Sequence, residues 1–150
     1  MQTKYHIPVL QNESIQGLKI EKGKKYIDCT LGDGGHTIDI LKNGGVVMGV
    51  DVNKLSLNRA TTRINELGLQ KNFIPVLGNF KDLENLCNEN DFYGISGIIY
   101  DLGYSSYQLD QTELGLSFLQ DTPLDMRLDD NLGVTAADLV NALPEEQLAD

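Results

Sequence analysis

Short apolar runs alternate with amphipathic stretches between residues 25 and 102. Lys25-Tyr26-Ile27-Asp28-Cys29-Thr30 reads as a strand that stops at a glycine-rich turn. Val46-Val47-Met48-Gly49-Val50-Asp51 is a near-continuous apolar run, the form of a strand covered on both faces. Leu57, Ala60, Ile64 and Leu67 follow at spacings of 3, 4 and 3, which places them on one helix face. Asn53 is suited to cap the start of that helix and Gly68 to close its end. Phe73-Ile74-Pro75-Val76-Leu77 reads as a third strand, and its proline, which cannot donate to a ladder, places it at an edge or a bulge. Leu83, Leu86 and Cys87 mark a short helix, and Gly97-Ile98-Ile99-Tyr100-Asp101-Leu102 a fourth strand. This β-α-β-α-β-α-β order predicts an α/β fold with a doubly wound parallel sheet and ligands at the carboxyl ends of its strands.

The pattern changes after residue 102. Residues 103–133 are rich in Gly, Ser, Asp and Pro without a sustained period. Thr135-x-x-Asp138 then resembles a helix start, and Pro144-Glu145-Glu146 a second one. Charge follows the same division. The formal net charge is −10, yet residues 1–100 carry 11 basic and 11 acidic side chains, whereas residues 101–150 carry Arg127 alone against 11 acids. An acidic chain is a poor match for a polyanion, so the last third argues against nucleic-acid binding by itself while the first two thirds are neutral. No apolar stretch approaches the ~18 residues of a membrane span, and no secretory leader is expected at the N-terminus. Cys29 and Cys87 lie 58 positions apart with no metal-ligand spacing, which predicts reduced thiols, no metal centre and a cytoplasmic setting.

Two features carry candidate chemistry. Thr30-Leu31-Gly32-Asp33-Gly34-Gly35-His36-Thr37 follows the first strand. Glycines there allow close backbone approach, and the helix behind them offers free N–H groups to an anion; a plain tight turn is the alternative. Asp51 ends the second strand, 19 residues after Gly32, where a carboxylate accepts hydrogen bonds from ribose hydroxyls; a solvated strand-end acid is the alternative. Thr37 stands where the dinucleotide fingerprint wants its last glycine, which disfavours a nicotinamide dehydrogenase, and no P-loop is present. S-adenosylmethionine, with a ribose and an amino-acid tail but no pyrophosphate, fits what is left. Phe80 after the third strand offers a ring for adenine or a core side chain. Asp101 at the end of the fourth offers a carboxylate beside the cofactor crevice or a turn cap, with Gln108 and Asp110 in the loop beyond.

Five ordered blocks extend this. They are His6-Ile7-Pro8-Val9-Leu10, Asp28-x-Thr30-x-Gly32-x-Gly34-Gly35-His36, Asp101-Leu102-Gly103-x-Ser105-Ser106-x-Gln108-Leu109-Asp110, Gly115-x-Ser117-Phe118 and Pro123-Leu124-Asp125-Met126-Arg127. Together they resemble the MraW/RsmH family, which methylates N4 of a cytidine in the decoding centre of 16S ribosomal RNA. Tyr104 and Tyr107 depart from it, standing where Val and Pro are usual. The resemblance implies a class I, Rossmann-like methyltransferase with an inserted helical substrate-recognition domain. It implies cofactor contacts from Gly34, Gly35, His36, Asp51, Phe80, Asp101 and Gln108. Family members are about twice this length. The resemblance therefore implies that residues 1–103 are the N-terminal part of the methyltransferase domain, with an incomplete sheet, and that residues 104–150 begin the insertion.

The expected reaction is transfer of the sulfonium methyl group to the exocyclic amine of cytosine in the small ribosomal subunit. Asp101 is the expected acceptor of an amine hydrogen and the expected catalytic residue; a backbone carbonyl of Leu102-Gly103-Tyr104 is the alternative. The alternative is a truncated S-adenosylmethionine-binding module without turnover. The exposed edge of half a sheet also predicts association, for example into a homodimer.

Overall fold

The computed structural model describes residues 5, 8–104, 109, 114–119, 121–129 and 132–149. The chain divides into two compact units, residues 1–103 and 104–150. In the first unit, α1 (Gln11–Leu18), β1 (Lys25–Asp28), α2 (Gly35–Lys42), β2 (Val46–Asp51), α3 (Lys54–Glu66), β3 (Phe73–Leu77), α4 (Leu83–Glu89) and β4 (Ile95–Ile99) follow in chain order.

The four strands form one sheet in the order β3-β2-β1-β4, every pair parallel. Successive side chains of a strand point to opposite faces, and both faces here are covered. On one face Tyr26, Val47 and Phe73 pack with Ile38, Ile40 and Leu41 of α2 and with Ala60 and Ile64 of α3, and Ile15 and Leu18 of α1 lie against them. On the other, Ile27, Met48, Val50 and Val76 pack with Leu86 of α4 and with Phe92. The sheet is therefore doubly wound, and its apolar second strand sits at the centre. Val47, Met48 and Val50 are fully buried, and each side chain of this kind contributes roughly 1.5–3 kcal/mol. The chain returns to the far side of β1 to form β4. This reversal makes the carboxyl ends of β1 and β4 the topological switch point, where α/β sheets bind ligands.

Local signals explain most boundaries. The Asn53 side chain accepts hydrogen bonds from the Leu55 and Ser56 amides at the start of α3, and Gly68 just past its end has φ +70°. Pro75 lies in β3, an edge strand, where its missing donor costs least. Ala60 and Ile64 are buried and Leu57 packs against the core, but Leu67 is half exposed, because α3 stops at Glu66. β4 begins two residues earlier than its apolar run and ends at Ile99, since its ladder with β1 fixes its extent. No periodic signal announced α1. It buries no residue fully, and its capping residue Leu10 is left-handed without a side-chain cap.

The second unit contains α5 (Ala136–Ala142) and α6 (Glu145–Ala149). Thr135 and Asp138 form a reciprocal capping box at the start of α5. Leu143, before Pro144, is extended as a residue preceding proline must be, and this separates the two helices. Arg127 donates to both carboxylate oxygens of Asp125, at 2.6 and 2.7 Å, and to the Leu132 carbonyl.

Candidate functional site

The carboxyl end of the sheet is organised by buried acids. Asp28, last residue of β1, is almost fully buried. It accepts a hydrogen bond from the Thr37 hydroxyl at 2.7 Å and another from the Thr30 amide at 3.2 Å. Burial raises its pKa, against those two hydrogen bonds. The Asp28–Thr37 bond joins the end of β1 to the first turn of α2 across the glycine turn.

The turn itself is tightly determined. The Gly34 amide donates to the Leu31 carbonyl, and Ile38 makes the first helical bond back to Gly34. The amides of Gly35, His36 and Thr37 consequently have no acceptor within α2, and no side chain caps that end. Gly34 has φ +75°, and a Cβ there would stand 3.3 Å from that of Ala60. Gly32 has φ +50°, and a Cβ there would meet only the Thr30 carbonyl oxygen, at 3.9 Å, among the described residues.

Asp51 at the end of β2 faces this turn. Its Oδ2 accepts from the Gly32 amide and its Oδ1 from the Asn53 amide, both at 2.8 Å. Burial raises its pKa, and the two amides oppose the rise. Each carboxylate oxygen has two acceptor sites, so one on each is left after the amides. Asp51 is therefore neither a simple solvated acid nor a saturated one.

Asp101, two residues past β4, donates its amide hydrogen to Thr30 Oγ1 at 2.7 Å. Its half-exposed carboxylate stands 3.4 Å from Nε2 of His36, a side chain only 4% exposed. Among the described residues, His36 Nδ1 is buried without a hydrogen-bond partner. The arrangement brings residues 30, 36 and 101 together from just past β1, the first turn of α2 and just past β4. Phe80 is 39% exposed and packs edge-on against Tyr100 with ring centroids 5.5 Å apart. It is no core residue. Phe80 and Tyr100 come from loops after opposite edge strands, so their contact spans the strand ends. The Cys29 thiol beneath is pushed up to about 11, mainly by burial, and stays protonated at neutral pH.

Gly34, Gly35, His36, Asp51, Phe80 and Asp101 thus all lie at one end of the sheet. Gln108 lies outside the described residues, as do Asp110, Tyr107, His6 and Ile7. Sequence reasoning missed roles for Asp28, Thr30 and Thr37, and for Arg59 and Arg63 of α3. An acid inside an apolar strand was the available signal for Asp28. Among the described residues no group of His, Cys, Asp and Glu is arranged to hold a metal ion, and no helix is long and apolar enough to cross a membrane.

This fold and site define the class. An α/β sheet in the order 3-2-1-4, with a glycine turn at its switch point, is the Rossmann-like fold of class I methyltransferases. Solved structures share it: an rRNA methylase from Streptococcus thermophilus has TM-score 0.55 at 23% identity, over 65% of this chain and 57% of that one. A Streptococcus mutans protein solved in complex with SAH (S-adenosylhomocysteine) has TM-score 0.52 at 24% identity, over 66% and 55%. Within this class the chain belongs to the MraW methylase family, whose pattern it matches over residues 3–150. It is 43% identical over 144 residues to the ribosomal RNA small subunit methyltransferase H of Carboxydothermus hydrogenoformans, covering 95% of this chain and 46% of that protein. It is 42% identical to ribosomal RNA small subunit methyltransferase H 1 of Acholeplasma laidlawii, covering 97% and 48%. The chain thus spans under half the length of the curated relatives it matches. The family and its structural neighbours are S-adenosylmethionine-dependent methyltransferases.

Proposed function

We propose that the protein carrying this chain methylates RNA of the small ribosomal subunit with S-adenosylmethionine, the acceptor being the N4 amine of a cytidine in the decoding centre of 16S rRNA. Residues 1–103 serve as the cofactor half of the methyltransferase domain, and residues 104–150 as the beginning of an inserted substrate-recognition domain. One observation carries the reading: a partly buried Asp51 that retains acceptor sites facing a glycine turn and an uncapped helix start. The residues present fit the cofactor. Amides of Gly35 and His36 hold its carboxylate, Asp51 its ribose hydroxyls, and Phe80 packs on adenine. S-adenosylmethionine supplies the electrophilic methyl group. Asp101 accepts a hydrogen bond from the cytosine amine, which holds that weak nucleophile close to the methyl carbon.

Calorimetric titration with SAH tests the cofactor half. Asp51→Ala removes charged acceptors worth roughly 1.5–3 kcal/mol, so affinity falls roughly ten- to hundredfold. Unchanged affinity refutes the ribose role of Asp51. Methyl transfer to small subunits lacking the modification tests the rest. Tight SAH binding without transfer by this chain supports a cofactor-binding module instead.

A further inference from the structure

The turn between Gly32 and Gly34 is held by α3. Asp33 lies between those glycines, and its side chain is 5% exposed. A carboxylate so buried needs a partner. Arg59 of α3 supplies a fork: Nε donates to Oδ1 at 2.8 Å and Nη2 to Oδ2 at 3.2 Å. Arg63, one helical turn on, donates from Nη1 to the Asp33 main-chain carbonyl at 3.0 Å. The i, i+4 spacing puts both guanidiniums on one face of α3. The Tyr5 ring lies against them, 4.4 Å from Arg63 and 5.7 Å from Arg59. Side chain and backbone of one residue are therefore gripped from the same helix.

We propose that Arg59 and Arg63 are positioning residues that hold the Asp33 turn in its cofactor-binding shape. The proposal rests on the reading of the turn given above. Its physical basis is the neighbours of Asp33. Gly32 donates the amide that orients Asp51 Oδ2, and Gly34 is the residue that caps the start of α2. Rotation at Asp33 swings both, and glycines on either side offer little resistance of their own. A turn already held in its bound shape spares the ordering cost of binding. Neither arginine touches the cofactor; each acts through Asp33.

The test is SAH titration of the 150-residue chain and of Arg59→Lys, Arg63→Gln and Asp33→Asn, each at a temperature where the variant is fully folded. Arg59→Lys keeps the charge and loses the fork, and Arg63→Gln spares the buried ion pair, so at least one folded variant is secured. Arg59→Lys and Asp33→Asn should each weaken SAH binding about five- to tenfold, and the double variant no more than the worse single one, because they break one shared contact. In parallel, amide exchange of Gly32 and Gly34 without ligand should quicken in each variant while that of β2 stays unchanged. Lower melting temperatures with unaltered affinity and unaltered exchange at Gly32 would overturn the proposal, leaving the arginines a structural role only. Failure of the unsubstituted chain to bind SAH overturns the reading of the site instead, and the exchange rates then decide the positioning role alone.

Discussion

Replacing Thr37 by Val keeps the shape of the side chain and removes one hydroxyl. That hydroxyl donates to Asp28 Oδ2 at 2.7 Å, and both residues are essentially without solvent contact. No cavity forms, so the loss is that of a hydrogen bond to a buried carboxyl group, about 2–3 kcal/mol where that group is ionised. For a chain of this size the melting temperature should fall by about 4–12 °C. The pH dependence identifies the charge. Burial raises the folded-state pKa of Asp28 above 3.8. Between the unfolded and folded values the folded protein keeps a proton that the unfolded chain has released, so Asp28 lowers stability as pH rises through that window. Thr37 favours the charged form; without it the folded pKa moves higher and the window extends upward. The deficit of Thr37→Val should therefore be smallest, about 1 kcal/mol, at low pH, where the folded protein keeps the Asp28 proton, and grow as pH rises through the folded-state value. Urea titrations of both proteins at a series of pH values give the difference directly. A deficit independent of pH would refute an ionised Asp28, and no deficit at all would refute the bond.

Other substitutions isolate single features. Asn53→Ala removes the acceptor for two amides at the start of α3 and should cost about 1 kcal/mol in chemical denaturation. Gly49→Ala would place a Cβ 2.8 Å from Leu31 and Phe73; overpacking in the central strand should cost about 1–3 kcal/mol in the same assay. The Arg127 guanidinium, helped by the Arg127 amide, holds the Asp125 carboxyl below its usual range, so its NMR titration midpoint should lie under that of an isolated Asp and rise towards it in Arg127→Gln.

Much of the first unit was legible because strand and helix signals agreed. The apolar run 46–51, the α3 stripe, Asn53 and Gly68 each express local physics that needs no partner: side-chain period, capping and a left-handed closing residue. Pro75 even indicated an edge strand, since its missing donor is a property of the residue. α1 was not legible, because its half-buried Ile15 and Leu18 gain meaning only against α2 and β4. The same holds for the site. Glycines after β1 and an acid after β2 were visible as a pattern, and the five blocks placed the chain in its family.

Sequence by itself determined the order of elements, the glycine turn, the candidate residues and the family, because these depend on neighbours along the chain and on residue type. Tertiary structure alone decided which acids share an environment. Asp28, Asp33, Asp51 and Asp101 look alike in the sequence. Folding buries Asp28 against Thr37 and clasps Asp33 between two arginines of α3. It leaves Asp51 with acceptor sites beyond its two amides, and sets Asp101 half exposed beside His36. The Asp101 amide also reaches Thr30, 71 positions away, and only the parallel sheet, by bringing every strand's carboxyl end to one edge, converts that separation into contact.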